Sequence, residues 1–376
     1  MSPSALLAPC RPHAACCGRG ADVTTADPRV PAQRAATKPV GIRDVATLAG
    51  VSVASASLAL NGRPGVADST RRRIAAAAEQ LGYSANPQAQ ALRRGRTMTY
   101  GLLTRNLANP FFLDVMSGAE EVASEAGATL LVLDSSYSLE REAEQVRKMA
   151  AQRLEGLAIA PVGSGAAIRL WQQLRPGAPV VALNASVRGM TGVPLVTPDN
   201  RASVGLAMLR IAELGHCSVA FVTAPRPLMA DPDRLSHFRA FASQLGLAPR
   251  IVYSALTIDD VAQSTRSLLA DRDAPTSVIT NSDYTAHAVY KAARELGLRI
   301  GPQISVVGHD DLPTSELLDP PLATIRVDRR EMGRQFMRRL LDADETDDYV
   351  APVELVHRDS LQHLKPTGQV SVYGRQ

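Results

Sequence analysis

From Thr99 onward the chain alternates short, continuous apolar runs with longer segments whose apolar residues recur every three to four positions. TYGLL, TLLVLD, GLAIAP, PVVALN, SVAFVT, SVITNS and ISVVGHD read as buried strands, and LEREAEQVRKMAAQ and YTAHAVYKAARELG as amphipathic helices between them. Such alternation predicts parallel, doubly wound sheets of the α/β class. The roughly 270 residues involved exceed one comfortable sheet, so two lobes are expected.

The pattern before Thr99 is different. Ile42, Val45, Ala46, Leu48 and Ala49 have helical spacing and stop at Gly50; Ser52 offers an N-cap for a second helix from Val53 to about Leu60, closed by Asn61-Gly62. A third helix is expected from about Ser69 to Leu81, ended by Gly82. Two helices joined by a tight glycine turn form a helix-turn-helix. The organisation predicted is an extension over 1–37, a small all-α helix-turn-helix headpiece over 38–84, a linker over 85–97, a two-lobed body over 98–360 and a tail over 361–376. The tail carries no leucine heptads and is not expected to form a coiled coil.

Composition narrows the class. With 376 residues, 45% of them hydrophobic and 21% charged, the chain can bury a large core. No apolar run approaches the roughly 18 residues of a membrane span, and no basic segment precedes an apolar core near the N-terminus, so no membrane partner and a cytoplasmic location are expected. Residues 1–37 are rich in Pro, Ala, Gly and Arg without a period and read as disordered. Cys10, Cys16, Cys17 and His13 lie there, where nothing preorganises a metal site; unpaired thiols are the expectation. Neither metal nor cofactor is expected.

Charge is unevenly divided. Residues 38–97 hold nine Lys/Arg against three Asp/Glu, whereas residues 98–376 hold 28 against 32. A small basic module joined to an acidic body points to a polyanion as one partner.

The stretch IRDVATLAGVSVASASLALNGRPGVADSTRRRIAAAAEQLGYSANPQAQALRRGRT resembles, without a gap, the headpiece and hinge of the LacI/GalR family of bacterial transcription regulators. The likeness is carried by Asp44-Val45-Ala46, Ala49-Gly50-Val51-Ser52, Ser57, Leu60-Asn61-Gly62, Thr70-Arg71, Leu81-Gly82-Tyr83, Asn86-Pro87 and Leu92. It implies that Val53, Ala54 and Leu58 face the major groove of double-stranded operator DNA. All three are apolar, so bidentate Arg-to-guanine readout is unavailable and methyl-to-thymine contact remains. Ser52, Ser55, Ser57 and Asn61 can bond phosphates, which set register without reading sequence; Tyr83 and Asn86 join the implied DNA contacts. The linker is implied to fold on DNA as a hinge helix, with Leu92 as a minor-groove wedge, Ala89 packed beside it and Arg93 near phosphate. Gly41 stands where the family usually has Thr, which removes one capping hydroxyl.

Ligands of doubly wound sheets bind at the carboxyl ends of the strands. Asn106 to Phe112, Asp134, Asn184, Ser282-Asp283 and His309-Asp310-Asp311 lie there. These short polar groups and aromatics suit a hydroxyl-rich small molecule. The resemblance continues to about residue 360 through NPFF at Asn109 to Phe112, Asp199-Asn200, LGH at Leu214 to His216, Arg234, SVVGHDDLP at Ser305 to Pro313, PPLATIRVD at Pro320 to Asp328 and HRDS at His357 to Ser360. It implies a periplasmic-binding-protein-like body in which Arg234 and Asp310 clamp a ligand from opposite sides of the cleft. Asn109, Asn184, Ser282 and Asp283 would add hydrogen bonds, and Phe111 or Phe112 an apolar wall. His216, His237, His287 and His309 read as surface or capping residues.

The resemblance therefore implies a homodimeric transcription regulator, most often a repressor, that holds a pseudo-palindromic operator and a small-molecule effector such as a sugar or related polyol. The alternatives are a sugar-binding protein of periplasmic type with no DNA role, which the basic headpiece opposes, and a regulator using a nucleobase-like corepressor. An enzyme is not expected, because no Ser-His-Asp or Cys-His order and no phosphate loop stands out.

Overall fold

A computed structural model describes residues 40–83, 97–185, 189–342 and 344–364. The expectations for the N-terminal extension and for the hinge, with Asn86, Ala89, Leu92 and Arg93, lie outside the described residues, as does the tail beyond Leu364. The chain divides into two compact units, residues 1–85 and 86–376.

In the first unit, α1 (Ile42–Leu48), α2 (Val53–Leu60) and α3 (Asp68–Gln80) pack around Val45, Ala46, Ala49, Ala56, Ala59, Ile74, Ala77 and Ala78. Small residues dominate this core, so the helices approach closely. The turn between α1 and α2 needs the left-handed backbone of Gly50, φ +61. Gly41 supplies no capping hydroxyl, but its N–H donates to Asp44 Oδ2 at 2.8 Å, so half of a capping box survives. Two arginines of α3 also serve the fold. Arg71 donates to the carbonyls of Ala59 and Arg63 at 3.0 and 2.9 Å, and Arg73 to that of Ala49 at 3.1 Å, satisfying acceptors at the ends of α2 and α1.

The second unit contains two six-stranded sheets. The first lobe holds β1 (Thr99–Thr104), β2 (Thr129–Asp134), β3 (Gly156–Ile159), β4 (Val180–Leu183) and β5 (Leu195–Pro198), with α4 (Phe111–Glu125), α5 (Leu139–Ala151) and α6 (Ala166–Leu174) between strands. The second holds β6 (Ser218–Thr223), β7 (Ala248–Tyr253), β8 (Ser277–Thr280), β9 (Ser305–Asp310) and β10 (Ala323–Val327), with α7 (Asn200–Glu213), α8 (Pro232–Leu245), α9 (Ile258–Leu269) and α10 (Asp283–Glu295). The chain then returns through α11 (Arg329–Leu341) to the first lobe, adds β11 (Tyr349–Ala351) there and ends with β12 (Val353–Val356) in the second. The strand orders are β11-β5-β4-β3-β1-β2 and β12-β10-β9-β8-β6-β7. Every pairing is parallel except β10 with β12.

Three crossings between lobes follow, near Asp199, Asp328 and Pro352. Two of them are helix N-caps: Asp199 accepts the Ala202 N–H at 2.8 Å and Asp328 that of Glu331 at 2.9 Å. The carboxylate that stops the strand also starts the next helix in the other lobe.

Within the first lobe α4 and α11 meet at Gly118 and Gly333. A Cβ at Gly118 would strike the Arg330 carbonyl, and one at Gly333 the Val115 carbonyl. Because backbone rather than a flexible side chain is struck, Gly333→Val is expected to destabilise the chain by about 3 kcal/mol, the upper end of ordinary overpacking. Urea unfolding checks this, and an unchanged midpoint would mean that the helices separate freely.

His216 departs from its expected surface position. It is buried, with Nδ1 2.9 Å from Thr276 Oγ1 and Nε2 3.0 Å from the Gln362 carbonyl. Leu361 is also fully buried and the Leu364 N–H donates to the Leu214 carbonyl at 3.0 Å. The LGH turn thus faces inward because the start of the tail crosses over it.

Candidate functional site

In the headpiece, α2 has one face in the core and one in solvent. Ala56 and Ala59 are buried, while Val53 is 42% exposed, Ser52 and Ala54 are exposed, and Ser55, Ser57 and Leu58 are half-buried. The helix is therefore both a core helix and a presented surface. Ser52 Oγ accepts the Ser55 N–H at 3.0 Å and lies 2.9 Å from Ser55 Oγ, so both hydroxyls are partly committed to the cap. Asn61 closes the helix by donating to the Ser57 carbonyl at 2.7 Å. Tyr83 packs against the headpiece core.

In the body, the carboxyl ends of both sheets converge on a cavity. Asn109, Phe111, Phe112 and Asn184 line it from the first lobe, and Arg234, Ser282 and Asp310 from the second. Phe111 and Phe112 are buried, with rings edge to face at 5.2 Å, and form the apolar wall. Asn109 also fixes its own loop, its Oδ1 accepting the Phe111 N–H at 3.0 Å. Ser282 is at once wall and N-cap, accepting the Thr285 N–H at 3.2 Å.

Two expectations need correction. Arg234 and Asp310 do not face each other from opposite lobes: α8 packs on the second sheet and β9 belongs to it, so both come from one side. A helix that follows a strand of a doubly wound sheet starts at the strands' carboxyl ends, which sets Arg234 beside Asp310. Asp283 does not line the cavity. It is fully buried, and its oxygens accept from Thr324 Oγ1 at 2.5 Å, Ser315 Oγ at 2.6 Å and the Leu312 N–H at 2.8 Å. This latch holds the loop after Asp310. Burial pushes its carboxyl up to about 7, reinforced by the Asp310 charge and opposed by the three donors.

Asp134 is likewise loop scaffold, taking Thr104 Oγ1 at 2.9 Å, the Leu107 N–H at 3.1 Å and Ser136 Oγ at 2.6 Å. His309 is buried rather than exposed, Nδ1 2.9 Å from Asp310 Oδ1 and Nε2 3.2 Å from Ser203 Oγ. Burial holds its pKa well below the usual histidine value, so the ring is neutral and carries one N–H; the Ser203 hydroxyl already donates to the Asp199 carbonyl at 2.7 Å, so toward the ring it can only accept.

The cavity wall contains further groups that the sequence reading passed over: Arg105, Tyr137, Asp231 and Asn281. Arg105 and Asn281 directly follow β1 and β8, so the strand-end rule applied one residue earlier or later would have found them. Arg105 donates to the Pro161 and Asn184 carbonyls at 3.1 and 2.8 Å. Burial raises the Tyr137 hydroxyl to about 12. Backbone strain also gathers here: Tyr137, Asn184, Asp310 and Asp311 have φ of 57°, 49°, 116° and 53°.

Arg234 is anchored on three sides. Its Nε donates to Asn200 Oδ1 at 2.6 Å and lies 3.4 Å from Asp231 Oδ2, and its Nη1 donates to the Asn281 carbonyl at 3.0 Å. Its Nη2 is buried without a partner, as are Asp310 Oδ2 and Asn184 Oδ1. Around one cavity, then, stand one donor and two acceptors of a kind that native interiors seldom leave unsatisfied. Arg329 binds the lobes together behind them, with Nη2 2.6 Å from Asp114 Oδ2 on α4 and Nη1 donating to the Asp310 and Asp311 carbonyls.

Among the described residues no single helix is long and apolar enough to cross a membrane. Residues 41–86 match the family model for bacterial regulatory proteins of the lacI family, and residues 209–361 that for periplasmic binding protein-like domains. The transcriptional regulator MalR of Streptomyces coelicolor is 31% identical over 80% of this chain and 89% of its own length. The ribose operon repressor of Bacillus subtilis is 31% identical over 80% and 90%. A solved structure of the lac repressor dimer bound to operator and an anti-inducer superposes with a TM-score of 0.75 at 28% identity, covering 86% of this chain and all of that one. These relatives are transcriptional regulators, and both units of the chain, headpiece and two-lobed body, are matched. The chain belongs to the LacI family of bacterial regulatory proteins.

Proposed function

We propose that the chain is a homodimeric repressor whose operator affinity is set by a neutral, hydroxyl-rich effector, a sugar or related polyol, in the cleft between the lobes. The observation that carries the effector class is the set of buried polar atoms without partners. Asp310 Oδ2 and Asn184 Oδ1 call for donors and Arg234 Nη2 for an acceptor, and a pair of neighbouring hydroxyls supplies both roles. A ligand acid would place its charge against the Asp310 and Asp231 carboxyls. The Phe111 and Phe112 wall takes the apolar face of a sugar ring, and the ribose operon repressor among the relatives supports the same class. The DNA-contacting residues are Val53, Ala54 and Leu58 toward base edges, and Ser52, Ser55, Ser57 and Asn61 toward phosphates.

Effector binding draws on residues of both lobes, so it favours the closed arrangement over the open one, and that difference is available to bias the DNA-binding state. A thermal-unfolding screen of neutral sugars and polyols tests the effector class. One member at saturating concentration is expected to raise the midpoint by roughly 5 °C, since a ligand at about a hundred times its Kd stabilises by about 2.7 kcal/mol. A panel in which only acids or nucleobases shift the midpoint would overturn the polyol reading.

A further inference from the structure

Next to the cleft lies a second cavity of about 700 Å³, within the range that holds small ligands. A strap divides the two: the Gly163 N–H of the first lobe donates to the Leu228 carbonyl of the second at 3.3 Å. Gly163 has φ +64, and a Cβ there would strike the Pro227 carbonyl, so only glycine lets the lobes meet at this point. The strap is fixed from beneath, because buried Glu142 accepts the Val162 N–H at 2.6 Å and Arg105 holds the Pro161 carbonyl.

We propose that this second cavity is a binding site for a small organic anion, a phosphate ester or carboxylate carried on an apolar body. Three guanidinium groups line it, Arg169 from α6, Arg226 from the turn before α8 and Arg239 from α8, and no carboxylate does so among the described residues. Arg250, Arg266 and Arg334 elsewhere on the surface each rest on a carboxylate, at 2.8, 2.8 and 2.6 Å. Arg226 and Arg239 have no side-chain acceptor among the described residues, and Arg169 has only the Ser164 carbonyl at 3.4 Å. The three arginines are exposed and line one cavity with no carboxylate in its lining, so their charges repel one another, and a phosphate or carboxylate accepting from their forks reverses the sign of that interaction. Met190, Met229 and Leu235 provide an apolar wall beside the cations, so the fitting ligand carries its charge at one end.

The cavity draws Arg169 and Met190 from the first lobe and Arg226, Met229, Leu235 and Arg239 from the second. An occupant therefore binds the closed arrangement more tightly than the open one and stabilises it from a place separate from the cleft.

Phenyl phosphate, which joins a dianion to an apolar ring, is the probe, with phenol as its uncharged control. Titrated calorimetrically into the full chain at low ionic strength, phenyl phosphate is expected to bind saturably and phenol not at all. The double substitution Arg226→Gln and Arg239→Gln should weaken binding by about tenfold or more, two charge-assisted contacts being lost. Arg169→Gln, from the other lobe, should weaken it several-fold on its own, so the proposal stays testable if the double variant folds poorly. Asp310→Asn should leave it unchanged. Absence of saturation at millimolar phenyl phosphate, or undiminished binding by the arginine variants, overturns the site. Tighter binding by Asp310→Asn overturns it too, because removing that carboxylate would favour an anion only if the anion sat in the cleft.

Discussion

Asp310→Asn is expected to weaken effector binding by about 10- to 100-fold, the 1.5–3 kcal/mol of a buried hydrogen bond to a charged group, and to leave basal operator binding intact. The substitution preserves shape. The amide carries one donor and one acceptor in place of two charged acceptors, one of which lies 2.9 Å from His309 Nδ1, so a hydroxyl that meets the unpartnered Oδ2 finds at best a neutral acceptor. The same substitution should remove a pH dependence. Burial pushes the Asp310 carboxyl up to about 7, against the pull of Arg234, Arg329 and Arg105. A hydroxyl that donates to Oδ2 requires the carboxylate, so effector affinity should rise between pH 6 and pH 8 in the native chain and stay flat in the variant.

The contribution of Asp310 to stability has the opposite sign. Its folded pKa is raised above the unfolded value, so the stability it contributes is fully present below the ordinary carboxylate range and is lost as pH rises through about 7. The ligand-free protein weakens over the window in which the ligand gains. Asp283 is raised to about 7 as well, but it faces the latch rather than the cavity and should affect stability alone. Calorimetric titration at the two pH values decides the matter. Native-like binding by Asp310→Asn, or a pH dependence that persists in it, would show that the cleft assignment is wrong.

Legibility in the sequence followed burial. Of the seven strands read from apolar runs, β1, β3, β4, β6, β8 and β9 lie inside the two sheets, where both faces are covered and most positions are apolar, while β2 is an edge strand read from its run TLLVLD alone. The five missed strands have weaker signals for physical reasons. Both β5 and β7 contain proline, β11 has three residues, and β10 carries exposed Arg326 between buried neighbours. β7, β11 and β12 complete sheet edges and β5 and β10 lie one strand inside them, so their identity comes from the neighbour they pair with rather than from local pattern.

The cleft residues were legible because strand ends in a doubly wound sheet are functional by topology. Direction was not. Whether Asp283 points into the cavity or back toward Thr324 depends on the loop that returns over it, and whether Arg234 faces Asp310 across the cleft depends on which sheet carries α8. Nor could charge alone show that Arg71 and Arg73 are partly spent on helix carbonyls rather than left for phosphates.

Leu58→Arg should give the operator a new guanine preference of about 1–3 kcal/mol at one position of each half-site. The face that α2 presents contains Val53 and Ala54, with Leu58 half-buried beside them, and none of these side chains can donate or accept a hydrogen bond. Ser52, Ser55 and Asn61 are partly used by the helix itself. On the proposed reading, in which α2 faces the major groove, sequence discrimination by this helix is left to methyl burial against thymine and to shape. Replacing thymine by uracil opposite Val53, Ala54 or Leu58 should weaken binding by about 1 kcal/mol each, close to the value of one buried methyl group. An arginine at position 58 supplies the bidentate donor pair that the native face lacks, so its gain should be confined to sites with guanine at the facing position. It also adds a cation near phosphates, which strengthens binding to every sequence alike. Competitive binding between guanine and non-guanine operators at one salt concentration separates the two effects, since the phosphate contribution cancels. If Leu58→Arg raises affinity equally for all operators and uracil substitution is silent, α2 rests on the backbone without reading bases, and specificity must arise outside this helix.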